Sequence, residues 1–273
     1  MLAISNCRSL RPRIPRVSLR VSRKVLLRLF YVTTLTGFGF SNSVCGGEAE
    51  VKPASFAARA REIFAGAQKR RLAEPTNAVA AWEFARACFD SAEYATNDTE
   101  RVIIADQGIA ACRRLLAHQT GSAPAHYYLG MNLGQLARTK TLGALRIVGE
   151  MEREFKAARE LDEHFDSAGA DRNLGLLYFE APAFASVGSR TKARQHLQRA
   201  VELAPDFPEN RLNLMEAYLK WADNNGATHE LKVLEKLWPK AQTNFTGEAW
   251  AASWSDWEVR LKRARKTIKE SAK

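Results

Sequence analysis

The stretch Ala193-Arg194-Gln195-His196-Leu197-Gln198-Arg199-Ala200-Val201-Glu202-Leu203-Ala204-Pro205 aligns position for position with Ala227-Thr228-His229-Glu230-Leu231-Lys232-Val233-Leu234-Glu235-Lys236-Leu237-Trp238-Pro239. The separation is 34 residues. In both, apolar residues recur at three- and four-residue spacing, the period of a helix with one buried face. Each stretch closes on a proline, which cannot continue a helix interior. A period of this length belongs to helical hairpins that cannot bury their apolar faces alone and must stack.

Working outward, the helix before each stretch also recurs. Asp171-Arg172-Asn173-Leu174-Gly175-Leu176-Leu177-Tyr178 matches Arg211-Leu212-Asn213-Leu214-Met215-Glu216-Ala217-Tyr218. His126-Tyr127-Tyr128-Leu129-Gly130-Met131-Asn132-Leu133 and Trp82-Glu83-Phe84-Ala85-Arg86-Ala87-Cys88-Phe89 share that skeleton. Small residues at Gly130, Gly175, Ala193 and Ala200 predict close helix approach within a hairpin. Large ones at Trp82, Phe89, Tyr178 and Tyr218 predict filling between hairpins. The period is that of tetratricopeptide repeats. The expected fold is all-α: a right-handed helical-hairpin solenoid of about four irregular tetratricopeptide-like repeats with capping helices.

The expected divisions are a targeting segment over 1–46, a helix and linker over 47–77, and repeats over 78–122, 123–167, 168–207 and 208–241. A capping helix and basic tail over 242–273 complete the chain. Ala85, Leu129, Leu174 and Leu214 are 44, 45 and 40 residues apart, longer than the basic period. The extra residues fall near 91–100, 138–149 and 179–190, where insertions would share one face of the stack. Trp250, Trp254, Trp257 and Leu261 form a stripe that reads as a cap over the end of the solenoid. The basic residues Arg260, Lys262, Arg263 and Arg265 offer a membrane-surface alternative.

Composition narrows the class. The chain has 273 residues and is 46% hydrophobic, which excludes intrinsic disorder and leaves ample material for a core. Four cysteines are too few for a disulfide scaffold. The formal charge of +11 sits at the ends: residues 1–45 and 259–273 hold fifteen of the 41 Lys/Arg and one of the 30 Asp/Glu. The body is near neutral, so the electrostatic footprint of a nucleic-acid binder is missing.

The start runs from basic (Arg8 to Arg28) through apolar (Leu29 to Phe40) to small (Ser41 to Gly47). That order is a secretory signal's, which places the mature chain in the periplasm or cell envelope. An Arg- and Ser-rich, acid-free start also fits an organelle transit peptide, and an uncleaved segment would tether the chain. Cys45 follows Val44, where a lipidation site carries a small residue.

Signatures of chemistry are sparse. The five histidines make no HExxH pair, and the chain holds no phosphate loop and no GxSxG elbow. Acidic residues such as Glu152 and Glu154 alternate with basic ones and read as solvated faces. The reading is non-catalytic, with no cofactor and no metal. Cys88 and Cys112 fall on the two helices of the first hairpin, where an oxidising compartment allows a disulfide, with two small buried apolar residues as the alternative. A groove along the first helices should carry Tyr127, Tyr128, Asn132, Arg172, Asn173, Asn213 and Glu216. Arg172 beside Asn173 is placed to hold a peptide carboxylate. This lining suits an extended peptide, a protein partner or a small apolar ligand; the oligomeric state is open.

Over 171–218 the pattern is more specific. Asp171 to Gly175, Leu177-Tyr178, Ala181-Pro182, Gly188, Lys192 to Arg194, Pro205 and Pro208-Glu209-Asn210 resemble the T component (TatT-like proteins) of tripartite ATP-independent periplasmic transporters. The resemblance spans about residues 78–240. It implies an exported helical protein that pairs with a periplasmic solute-binding protein and handles apolar ligands, an accessory subunit of solute uptake. The alternative function is a general protein- or peptide-binding scaffold of the envelope.

Overall fold

The computed structural model describes residues 53–140, 143–183 and 186–271, with side chains from Ser55 onward. The expected targeting segment, with Cys7 and Cys45, lies outside the described residues. Ten α-helices and one short 3-10 turn make up the described chain: α1 (Pro53–Ala73), α2 (Ala78–Ala92), α3 (Asp98–Leu116), α4 (Ala123–Ala137), α5 (Ala144–Leu161), α6 (Phe165–Glu180), α7 (Arg190–Leu203), α8 (Pro208–Lys220), α9 (Asn224–Asn244), the turn Glu248–Trp250 and α10 (Ala251–Ser271). Helices α2 to α9 pair as four consecutive hairpins, each first helix packing on its own second helix and on the next first helix. Helix α1 covers α2, and α10 covers α8 and α9. The fold is an all-α helical solenoid capped at both ends. No described helix is long and apolar enough to cross a membrane.

Side-chain caps set the helix starts. Asn77 accepts from the Val79 and Ala80 amides, Ser122 from Ala125, Ser189 from Lys192 and Asp223 from Gly226. These satisfy amides that a helix leaves unpaired at its start. Glycine sets the hairpin spacing. A Cβ on Gly175 would lie 2.7 Å from Leu197 Cγ and 3.0 Å from the Leu197 backbone nitrogen, and one on Gly130 would lie 2.7 Å from the Phe155 ring. Equivalent residues thus touch in hairpins two and three, as the alignment requires.

A second repeating contact joins the hairpins' helices. In the second, third and fourth hairpins the first residue of the aligned octet meets the second helix: His126 Nδ1 lies 2.6 Å from Glu154, Asp171 lies 2.6 Å from His196 Nδ1, and Arg211 donates to Glu230 at 2.8 Å. His196 and Glu230 are the equivalent positions of the two aligned stretches. The third hairpin reverses the polarity of the clasp without moving it.

Three expectations change. The extra length of the first two hairpins is helix, not projecting loop: α3 and α5 have 19 and 18 residues against 14 in α7. In the third hairpin α6 and α7 are separated by a longer connection, whose described residues approach closely: a Cβ at Gly188 would overlap the Ala181 carbonyl oxygen. Pro239 does not end α9, which runs on to Asn244 because Ala241 is buried and Phe245 packs on Phe207, Trp250 and Trp257. Tertiary packing outweighs the local cost of the proline. Glu152 and Glu154 are not simply solvated, since Glu152 accepts from Tyr178 Oη at 2.7 Å and Glu154 is the clasp of His126.

The tryptophan stripe is a cap. Trp257 and Leu261 are buried, and half-buried Trp254 donates Nε1–H to the Phe245 carbonyl at 2.6 Å. Arg260 turns inward to Glu216 and Asn213, and Arg265 pairs with Glu235. Arg59 of α1 pairs with Glu248 of the turn that leads into α10, so the first and last segments of the described chain meet. Gly175→Leu should overpack the α6–α7 contact and cost about 1–3 kcal/mol. Denaturant titration checks this, and an unchanged midpoint contradicts the register of the third hairpin.

Candidate functional site

Side chains of the first helices α2, α4, α6 and α8 were expected to line an open groove. The structure turns most of them into stitches between neighbouring hairpins. Six of the seven, Tyr127, Tyr128, Asn132, Arg172, Asn173 and Asn213, are buried, and Glu216 is half-buried. Asn132 Nδ2 donates across to the Ala85 carbonyl of α2 at 2.8 Å, and its side chain fills the space a Cβ on Gly108 would occupy. Asn213 and Glu216 accept from Arg260 of the cap at 2.5 and 2.9 Å. A ladder of polar contacts therefore runs from the first hairpin to the last helix.

Its centre is Arg172. Its Nη2 donates to Asp166 Oδ2 at 2.6 Å and Tyr127 Oη at 3.3 Å. Its Nη1 donates to the carbonyls of Asp166 and Ser167 and to Asn210 Oδ1, each at 3.1 Å. Tyr127 Oη donates to Asp166 Oδ2 at 2.7 Å and accepts from Asn173 Nδ2 at 3.0 Å. Burial alone would lower the Arg172 pKa; Tyr127 and Asp166 reverse that and hold it above its ordinary value. Burial raises the Tyr127 pKa, and the Asp166 charge adds to the rise. Arg172 does hold a carboxylate, but an internal one. The expected role in holding a peptide carboxylate is corrected, because its donors are already committed.

The network bears on a strained turn. Asp166, Ser167 and Ala168 have φ of 52, 56 and 60°, three successive non-glycine residues in the left-handed region. Each costs roughly 1 kcal/mol. Arg172 and Asn210 Nδ2 take up the carbonyls this turn would otherwise leave unpaired. The turn presents Phe165 to Trp82, Tyr127 and Tyr128 in edge-on contacts at 6.2, 5.3 and 6.1 Å. Trp82 stacks on Tyr128 at 6.0 Å with the rings 3° from parallel.

Trp82 and Phe165 stay half-buried at the edge of this cluster, and Arg86, its side chain 15% exposed, pairs with buried Asp90 at 3.8 Å. Sequence reasoning placed Trp82 only as inter-hairpin filling and did not single out Phe165, Arg86 or Asp90. The signal was available only in three dimensions, since the turn at 166–168 brings Phe165 back onto α2 and α4. Burial pushes the Asp90 carboxyl up to about 8, against the pull of Arg86 and with the aid of Asp166 and Glu93.

Cys88 and Cys112 are both buried free thiols, and burial raises the pKa of each. Cys88 packs in a small cluster with Phe84 and Ala111, and Cys112 belongs to the main core. Among the described residues no group of three or more His, Cys, Asp or Glu could hold a metal ion.

The fold is similar to that of TTC0263, a thermophilic tetratricopeptide-repeat protein of Thermus thermophilus. The TM-score is 0.55 at 19% identity, over 76% of this chain and 91% of that one. A second similar structure is MamA, with a TM-score of 0.47 at 18% identity, over 67% of this chain and 92% of that one. No family model and no curated protein match the chain. The likeness to TTC0263 carries the fold: a tetratricopeptide-like helical stack.

Two tests follow from the geometry. Arg172→Met leaves Asp166 without its cation and the Asp166 carbonyl without the Arg172 donor, and should cost about 3–5 kcal/mol; a loss below about 1 kcal/mol in urea titration contradicts the network's weight. For Asp90, a folded pKa above the unfolded value means its stabilising contribution is present at low pH and is lost as pH rises toward about 8. Asp90→Asn should therefore melt above the natural protein at pH 8, with the difference narrowing toward pH 5. A constant difference across that range contradicts the burial of the charge.

Proposed function

We propose that this chain is a non-catalytic binding protein that holds a protein partner on the Trp82–Arg86–Phe165 surface of its helical stack. One observation carries the reading. The buried ladder fixes neighbouring first helices against each other and leaves, on that rigid frame, two half-buried aromatics, Trp82 and Phe165, grouped around Tyr128 with the rim of the Arg86–Asp90 pair beside them. Aromatic and arginine side chains on a pre-organised surface are the residue types that dominate binding hot spots. Stacked helical repeats, the architecture this chain shares with TTC0263, commonly offer extended binding surfaces.

The basic, apolar and small order of residues 8–47 supports export to the periplasm or envelope. The narrower reading is an accessory subunit of a periplasmic solute-uptake system, with a solute-binding protein as partner. It rests on the resemblance of residues 171–218 to the T component. Tyr178, Ala181 and Gly188 form one packed unit that gives the resemblance a structural reason: the Ser189 amide donates to the Tyr178 carbonyl at 2.9 Å. A cleft between the second and third hairpins is lined mainly by charged side chains, which suits a polar partner better than an apolar ligand at that place.

The test is native mass spectrometry of the processed chain from its own envelope fraction, after mild cross-linking. A defined complex with a second protein is expected, and Trp82→Ala should weaken it at least tenfold with helicity retained. A ligand-free monomer under all conditions contradicts binding. A chain that leaves the envelope with a bound lipid-like molecule instead of a protein contradicts the scaffold reading.

A further inference from the structure

The two ends of the stack meet. Arg59 lies in the first half of α1, the helix that covers the first hairpin. Glu248 opens the turn that leads into α10, the helix that covers the fourth. Neighbouring helices pack about 8–10 Å apart, so three steps in a straight line would hold the first and fourth hairpins roughly 24–30 Å from each other. The Arg59–Glu248 pair closes that separation because the stack curls and its caps converge. The pair is open to solvent: the Arg59 side chain is 33% exposed and that of Glu248 75%. Arg59 holds the Glu248 carboxyl below its ordinary range. Arg59 Nε is buried and meets no acceptor among the described residues, a cost that release of the pair removes.

Elsewhere α1 is held lightly. Phe64 and Ala67 pack on Phe84, Cys88 and Ala111, a small cluster apart from the main core. Phe64 meets Phe84 with ring centroids 5.6 Å apart. Arg70 pairs with Glu83 close to the turn into α2, and Leu72 is 76% exposed. A helix with few buried apolar contacts opens at less cost than the whole domain unfolds. Cys88, in the cluster beneath α1, is a fully buried free thiol. Cys112 is equally buried but belongs to the main core.

We propose that α1 is a strap, hinged at residues 74–77 and latched by Arg59 on Glu248, whose release lets the caps part and uncovers Phe84 and Cys88. Closed, the strap holds the curl of the stack. Open, it adds Phe84, the position equivalent to Tyr128, to the aromatic side chains that the first hairpin offers. The device does not depend on which partner the chain holds.

The full chain is treated with N-ethylmaleimide under native conditions, and each cysteine is followed by peptide mass spectrometry. Cys88 should react at least tenfold faster than Cys112. Glu248→Arg should speed Cys88 about fivefold and leave Cys112 and the melting midpoint unchanged. Arg59→Glu combined with Glu248→Arg should return the slow rate. Added salt screens an exposed pair, so it should speed Cys88 in the natural protein and not in Glu248→Arg. Equal rates at Cys88 and Cys112 overturn the strap, because global unfolding alone then reaches both thiols. A Cys88 rate that Glu248→Arg leaves unchanged, or that the paired reversal fails to restore, overturns the latch. If Glu248→Arg does not fold, Glu248→Gln and the salt series carry the test, and a Cys88 rate unmoved by both overturns the proposal.

Discussion

One guanidinium governs the middle of the molecule. Arg172 is buried, yet its terminal nitrogens donate to a carboxylate, a phenol, an amide oxygen and two backbone carbonyls. Those acceptors come from the second, third and fourth hairpins and from the turn that starts the third. A charge taken out of water survives only where opposite charge and hydrogen bonds meet it together. Here the same contacts stabilise a left-handed turn of three residues that the sequence around it does not favour. Placement of Phe165 against Trp82 and Tyr128 follows from that turn, and so does the shape of the surface assigned to a partner.

The stack is irregular in length and regular in its contacts. The glycine positions Gly130 and Gly175 meet Phe155 and Leu197 at matching distances, and the clasps of the second to fourth hairpins occupy equivalent positions. Helix lengths vary freely because added turns at the hairpin tips do not disturb these contacts. Each hairpin touches mainly its neighbours, so a change in one is felt by the next and little beyond. The polar ladder is the exception, because it chains the first helices of all four hairpins to the cap.

Much of the architecture was legible in the residues. Apolar spacing, small residues at contact positions and the recurrence of Asp171–Tyr178 and Arg211–Tyr218 give the helices, their pairing and the caps. The surface was less legible. Tyr127, Asn132, Arg172, Asn173 and Asn213 are polar residues on first helices, a pattern that reads equally as groove lining or as buried stitching. Only their partners decide, and those partners lie as far away in sequence as Arg260. Nothing in Phe165-Asp166-Ser167-Ala168 announces a left-handed turn, since no glycine stands there and the conformation is imposed by Arg172 and Asn210. Pro239 misled for a related reason: local propensity marks a helix end, and the burial of Ala241 and packing of Phe245 override it.

The measurement that bears most directly on the role of Arg172 is native-state hydrogen exchange across α4, α6 and α8 in the natural protein and in Arg172→Lys. Lysine keeps the charge and loses the fork that reaches several acceptors at once. In the natural protein the buried amides of the three helices should open together, in a single cooperative unit. In the variant, α6 and α8 should exchange faster than α4 and separate from it. Equal protection of the three helices in both proteins would contradict a stack held together through this one side chain.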